Sequence, residues 1–278
     1  MKIGYFITAR LKSERLKYKL LKDLNGKTIF ERVIERCLSV KSLDDVVICT
    51  STNSQDSLLY DFALKYGTKF YAGSEADVMQ RLLDAAMYYS FDGFVSITAD
   101  NPLFSEYASV LLSDWARQSP DIDFIFTEGL PIGCCPYYLK TKALQVACYA
   151  KQQSDTEIWG PFVKQPSYFN IGILKFIGSL YDEQYRLTCD MPEDYKMLRE
   201  IFNHFPTNSI PALDNVMDII RKNECFEINK AILQRALEEN VIDEIDAVFR
   251  NNIEKINEYA KTIGYATKSA ISVRKIEI

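Results

Sequence analysis

Lys2-Ile3-Gly4-Tyr5-Phe6-Ile7-Thr8 is a short apolar run, and Thr28-Ile29-Phe30-Glu31-Arg32-Val33-Ile34-Glu35-Arg36-Cys37-Leu38 follows it. The first reads as a buried strand. In the second, Ile29, Phe30, Val33, Ile34, Cys37 and Leu38 recur at helical spacing and give one apolar face. The same change of period repeats along the chain. Strands are expected at 46–50, 69–72, 94–98, 123–127 and 186–188, and helices at 55–66, 75–89, 105–117 and 192–205. Repeated strand–helix alternation points to a mostly parallel, doubly wound α/β sheet with helices on both faces, a Rossmann-like architecture. Such sheets bind ligands beyond the carboxyl ends of their strands, near a reversal of strand order. Polar residues that directly follow strands are therefore the functional candidates. The alternation weakens at 129–169, rich in Pro, Gly and aromatic residues, where irregular structure or a small subdomain is expected. From 213 to about 260 the pattern is almost wholly helical.

Composition narrows the possible functions. A 278-residue chain with 47% hydrophobic residues can bury a sizeable core. A net charge of −5 and the lack of a long Lys/Arg block disfavour a nucleic-acid partner. No apolar run is long enough for a membrane span, and the first run lacks a following small-residue cleavage site. The 7 cysteines are scattered without a C-x-x-C, which predicts buried thiols in a reducing, cytoplasmic setting and neither disulfides nor zinc. The single histidine, His204, reads as structural, which excludes chemistry built on several histidines.

Familiar phosphate motifs are absent. Gly26-Lys27-Thr28 resembles the end of a P-loop, but Leu21 stands where its first glycine is required, so a turn into the next helix is expected. No G-x-G-x-x-G follows the first strand. The loop that does follow it, Ala9-Arg10-Leu11-Lys12-Ser13-Glu14-Arg15-Leu16-Lys17-Tyr18-Lys19-Leu20-Leu21, is crowded with cations at the ligand edge. A triphosphate needs such converging charges, lysine as a point charge and arginine as a fork of donors, although charge alone fits a solvated basic loop equally well. One lysine–phosphate contact at about 4 Å contributes roughly 4 kcal/mol before desolvation.

That loop has the pattern A-R-x-x-S-x-R-L-x-x-K-x-L, followed by N-G-K and a helix with E-R-V. It resembles the cytidylyltransferases of surface-sugar synthesis, which include the CMP-KDO and CMP-sialate synthetases, and most of all their spore-coat polysaccharide branch. Further segments match in order: Val47-Ile48-Cys49-Thr50-Ser51, Tyr71-Ala72-Gly73-Ser74-Glu75-Ala76-Asp77-Val78, Thr98-Ala99-Asp100-Asn101-Pro102-Leu103 and Arg186-Leu187-Thr188-Cys189-Asp190-Met191-Pro192-Glu193-Asp194. The resemblance implies a magnesium-dependent nucleotidyltransferase, with CTP as donor and a sugar acid, sugar phosphate or other phosphorylated small molecule as acceptor. It implies that Arg10, Arg15 and Lys19 hold the triphosphate with help from Ser13. Gly73, Ser74 and Asp77 would lie near the base, with Ala9 and Thr50 also at the nucleotide, and Asp100 and Asp190 would hold Mg2+. Magnesium takes one or two carboxylates and completes its shell with phosphate oxygens and water. Asp190 could equally cap the helix after it. The implied organisation is a nucleotidyltransferase domain over 1–210, an acceptor or dimerisation subregion at 129–169, and a helical extension over 211–278. A homodimer is implied as well.

Two departures bear on geometry. Lys17-Tyr18 replaces the family's Pro-Gly, and Ala99 replaces a glycine. On the acceptor side, Tyr137, Tyr138, Glu157 and Trp159 offer aromatic faces and a carboxylate, which suit a sugar or a dimer interface. A metal-dependent glycosyltransferase is the rival reading, through the D-x-D at Asp121-Ile122-Asp123, but that motif precedes its strand. A non-catalytic nucleotide-binding protein is a second rival. The joint presence of Arg10, Arg15, Lys19, Asp100 and Asp190 argues against it.

Overall fold

Thr28 starts the first helix through a reciprocal cap. Its hydroxyl accepts the N–H of Glu31 (3.2 Å), and the Glu31 carboxylate accepts the N–H of Thr28 (2.7 Å). Asp77 and Ser105 cap two later helices by accepting from Gln80 and Ala108. The computed structural model describes residues 1–151, 156, 159–165, 167–178, 185–232, 239–266 and 272–278. In chain order the elements are β1 Ile3–Thr8, α1 Ile29–Ser39, β2 Val46–Ser51, α2 Leu59–Tyr66, β3 Lys69–Gly73, α3 Val78–Tyr88, β4 Gly93–Thr98, α4 Glu106–Gln118 and β5 Phe124–Glu128. After them come β6 Tyr137–Lys140, α5 Thr141–Ala150, α6 Gly160–Val163, β7 Ile171–Lys175, α7 Pro192–Asn203, α8 Leu213–Asn223, α9 Glu239–Asn251, α10 Ile253–Thr262 and β8 Val273–Glu277.

The strands form one 8-stranded sheet in the order β3-β2-β1-β4-β6-β5-β7-β8. Only β6 runs antiparallel to its neighbours, β4 and β5. Alternate residues send their side chains to opposite faces and build two cores. Tyr5, Ile7, Val95 and Ile97 pack with α1, α2, α4, α7 and α8. Phe6, Val47, Phe94 and Phe124 pack with α3, α5 and α10 on the other face. The mostly parallel, two-faced α/β architecture is the one expected from the alternation.

Three local expectations are corrected. The stretch 129–169 contains a central strand, β6, and the helix α5, not only irregular chain. β6 has 4 residues and runs straight into α5, so no turn residue marks the change. Residues 186–188 form no strand, only a single bridge from Arg186 to Ile132. The region after 210 is not all helical, because β8 pairs with β7 and extends the same sheet. Among the described residues no helix is long and apolar enough to cross a membrane. Cys37, Cys49, Cys134, Cys189 and Cys225 are buried thiols.

Candidate active site

The chain lays β2 and β3 on one side of β1, then returns to place β4 on the other. Strand order therefore reverses between β1 and β4, and the crevice opens beyond Thr8 and Thr98, which pair in register. The loop after β1 is held at its base by Asp56, a fully buried carboxylate from the turn before α2. Asp56 accepts the N–H of Leu11 (2.7 Å) and the hydroxyl of Ser51 (2.5 Å). Further along, Tyr18 takes up a left-handed conformation (φ 51°) and leads into a short 3-10 turn, Lys19–Leu21. The tyrosine thus adopts a left-handed bend of the kind glycine makes without strain. Leu20 is buried beneath it, and Lys19 turns into the crevice.

Lys19 joins the two distant aspartates. Its Nζ donates to Asp100 Oδ2 at 2.5 Å and to Asp190 Oδ1 at 2.8 Å. Arg15 approaches Asp190 at 3.4 Å, and Arg186 donates to its other oxygen at 2.8 Å. Thr98 donates to Asp100 Oδ1 at 2.5 Å, and Asn101 donates in turn to Thr98. Burial alone would lower the Lys19 ammonium, but Asp100 and Asp190 outweigh it and hold its pKa above the ordinary value. Burial alone would likewise raise Asp190, but Lys19, Arg15 and Arg186 hold it below the usual carboxylate range. Both groups are therefore charged at neutral pH.

Asp190 does not cap α7. Asp194 accepts the N–H of Asp190 (3.0 Å) and of Met191 (2.9 Å), which leaves the Asp190 carboxylate to the cations. Gly133 (φ +92°) lets the chain pass between the two aspartate loops, where an added Cβ would lie 2.6 Å from the Thr188 nitrogen and 2.9 Å from Asn101 Oδ1.

On the β3 side, Ser74 Oγ accepts the Asp77 N–H (3.0 Å), and buried Arg81 donates to the Ser74 carbonyl (2.7 Å). Burial lowers Arg81, and the charge of Arg10 adds to the effect. The two guanidinium groups are thus neighbours, Arg81 buried and Arg10 half-buried. Asp77 is engaged by its helix cap, by Thr156 (3.0 Å) and by Lys151. Gly73 packs against Arg81. Ala9 is buried, with its N–H on Cys49. Thr50 is buried too, and its hydroxyl has no partner among the described residues. Arg10 and Ser13 are half-buried in the loop.

The acceptor-side residues divide. Tyr137 and Trp159 meet with ring centroids 5.0 Å apart. Tyr138 points to the opposite face, 1% exposed, with its ring over Gly93, and so cannot touch an acceptor. Strand alternation allows only one of two adjacent tyrosines to face each side. Glu157 lies outside the described residues. Lys164, which the sequence reading passed over, holds its ammonium 3.9 Å above the Phe126 ring. Lys164 is exposed, and partial desolvation of its ammonium lowers its pKa against the opposing pull of Glu128 and Cys135. The D-x-D is structural: Asp121 pairs with Arg274, while fully buried Asp123 accepts from the Asn170 N–H and the Tyr265 hydroxyl. His204 ends α7 beside Glu200.

Asp56, Arg81, Arg186, Asp194 and Lys164 were all missed from sequence. Arg81 offered a signal, as a charge set within the apolar face Val78, Met79, Leu82 and Leu83. Arg186 lay inside a quoted motif without a role, and Asp194 reads from sequence only as an acid favoured in the first turn of its helix.

A two-faced, mostly parallel sheet with basic and carboxylate loops meeting at its reversal point defines a nucleotide-diphospho-sugar transferase-like α/β enzyme. The cytidylyltransferase family profile matches residues 5–232, and the chain belongs to that family of nucleotidyltransferases. It is 30% identical over 242 residues to protein MJ1063 of Methanocaldococcus jannaschii, covering 86% of this chain and 99% of that one. It is 23% identical over 230 residues to the spore coat polysaccharide biosynthesis protein SpsF of Bacillus subtilis, covering 80% and 95%. A solved cytidylyltransferase from Leptospira borgpetersenii superposes with a TM-score of 0.76 at 26% identity, covering 84% of this chain and 100% of that one. CMP:2-keto-3-deoxy-manno-octonic acid synthetase, solved with CTP, shares the fold at a TM-score of 0.58 and 16% identity, covering 73% and 99%.

Proposed function

We propose that this protein transfers a cytidylyl group from CTP to an anionic sugar acid or phosphorylated small molecule in surface-glycan synthesis, with magnesium, and releases pyrophosphate. The observation that carries the reading is the single ammonium of Lys19 set between Asp100 and Asp190. Two carboxylates from distant loops converge there on one positive charge. Their hard oxygen donors fit magnesium, and among the described residues no third His, Cys, Asp or Glu joins them as a ligand cluster. Asp100 and Asp190 would hold the ion, with phosphate oxygens and water completing its shell. Bound there, the metal would offset charge growing on the reacting phosphates.

The chain's own groups account for the rest. Arg10, Arg15 and Lys19 bind the triphosphate, and Lys19 brings a charge that its two carboxylates keep fixed. An acceptor oxygen, its proton passing to solvent where it is a hydroxyl, forms its bond to the α-phosphorus, the bond from that phosphorus to the β-bridging oxygen breaks, and pyrophosphate leaves with the bonding pair. Gly73 and Ser74 border the base, while Asp77 shapes their turn through its cap. Lys164 lies over Phe126, the strand partner of Tyr137, which meets Trp159, and it suits the acceptor's anionic group, because its ammonium makes no ion pair among the described residues.

Thermal unfolding with CTP, UTP, GTP and ATP, each with and without MgCl2, tests the donor. A ligand at about 100 times its Kd stabilises by roughly 2.7 kcal/mol. The largest shift is expected with CTP and magnesium, and pyrophosphate release would then identify the acceptor. A larger shift with another triphosphate would change the donor, and no shift with any would refute the site.

A further inference from the structure

We infer that Asn229, in the segment after α8, is a positioning residue that sets the metal-facing carboxylate of Asp190 through Arg186 and Asp194. The inference rests on the metal-binding reading of Asp190 given above.

The connection is a closed ring of hydrogen bonds. Arg186 Nη2 donates to Asp190 Oδ2 at 2.8 Å, and its Nε donates to Asp194 Oδ1 at 3.0 Å. Asp194 Oδ2 holds the backbone of the same loop through the N–H groups of Asp190 and Met191. Asn229 Nδ2 then donates to Asp194 Oδ1 and to the Arg186 carbonyl, both at 2.9 Å. Arg186, Asp194 and Asn229 are 5%, 1% and 2% exposed. Both partners of the Asn229 nitrogen are pure acceptors, so the orientation of the carboxamide follows from chemistry.

This ring decides how Arg186 divides itself between two carboxylates. A guanidinium can take one carboxylate with two parallel bonds, and Asp194 is the more buried candidate. Asn229 already supplies a neutral donor to Asp194 and also tethers the Arg186 backbone. Arg186 therefore keeps its outer nitrogen for Asp190. Without the carboxamide, Arg186 can close fully on Asp194. Asp190 Oδ2 would then lose its 2.8 Å partner, and the carboxylate would turn toward Lys19 and Arg15. Groups that orient a metal ligand from behind typically change metal affinity by about 10- to 100-fold when removed. The region beyond 210 thus contributes to the site through Asn229.

The test is manganese binding to the full chain in the presence of CTP, read from the electron paramagnetic resonance signal of unbound Mn2+. Asn229→Leu is expected to raise the Mn2+ dissociation constant by about tenfold. Asn229→Ser, which keeps one donor, is expected to fall between it and wild type. Ligand-free thermal unfolding of each variant measures the purely structural cost. If Asn229→Leu does not fold, the Asn229→Ser value decides alone. A variant that loses stability but binds Mn2+ within twofold of wild type overturns the inference. Wild-type protein that binds no Mn2+ with CTP would overturn the metal reading itself, and this inference with it.

Discussion

Asp56 accepts the backbone N–H of Leu11 at 2.7 Å, so a fully buried carboxylate before α2 holds the start of the basic loop after β1. The same carboxylate takes the Ser51 hydroxyl at the end of β2. Asp56→Ala would leave both donors without their acceptor in a buried setting. The expected loss is about 3 kcal/mol in urea unfolding. Weaker CTP stabilisation should accompany it, because the loop bearing Arg10 and Arg15 loses its anchor. A loss below 1 kcal/mol would show that water or a neighbour replaces the carboxylate.

The opposed shifts of Lys19 and Asp190 define a pH window. Lys19 is raised above 10.5, so its stabilising contribution is complete below that value and is lost as pH climbs through the folded pKa. Asp190 is depressed below 3.8, so its contribution is complete above that value and is lost as pH falls through the folded pKa. The stability difference between wild type and Asp190→Asn should stay level from about pH 5 to pH 9. It should shrink on acidification below 3.8. Urea unfolding at a series of pH values reads it, and a difference unchanged at the acid end would refute the assigned pairing.

Tyr18 occupies the left-handed region with φ 51° and is exposed. A residue with a Cβ pays roughly 1–2 kcal/mol there, partly offset in glycine by greater freedom of the unfolded chain. Tyr18→Gly should leave stability unchanged or raise it by up to about 1 kcal/mol. Clear destabilisation would mean that the tyrosine ring makes a contact of its own.

Lys164→Met keeps the length of the side chain over Phe126 and removes the charge. It should raise the KM of the acceptor that supports pyrophosphate release by about tenfold or more, while CTP-induced stabilisation stays as in wild type. An unchanged acceptor KM would separate Lys164 from the substrate.

Most of the sheet could be read from sequence because its strands alternate with helices of clear period. Asp100 was legible for the same reason, because it closely follows β4, whereas Asp190 was found through its motif, since the strand expected before it is only a bridge. What stayed hidden was long-range. Asp190 looks like a helix cap until Asp194 is seen to take that task from four residues onward. Arg81 looks like one more position in an amphipathic helix, yet it supports the Ser74 turn. Lys164 has no motif at all, and only the fold brings it over Phe126.

β6 has 4 residues and so few bonds to fix its alignment. Gly93 provides a lock that those bonds do not. A Cβ at that position would meet the Tyr138 hydroxyl at 2.5 Å, so the ring needs the hollow that glycine leaves. A slip of one residue would carry Tyr138 out of that hollow and turn Tyr137 inward. The smallest residue of β4 therefore acts as the reading frame for two adjacent identical letters, and it determines which tyrosine lies against Trp159.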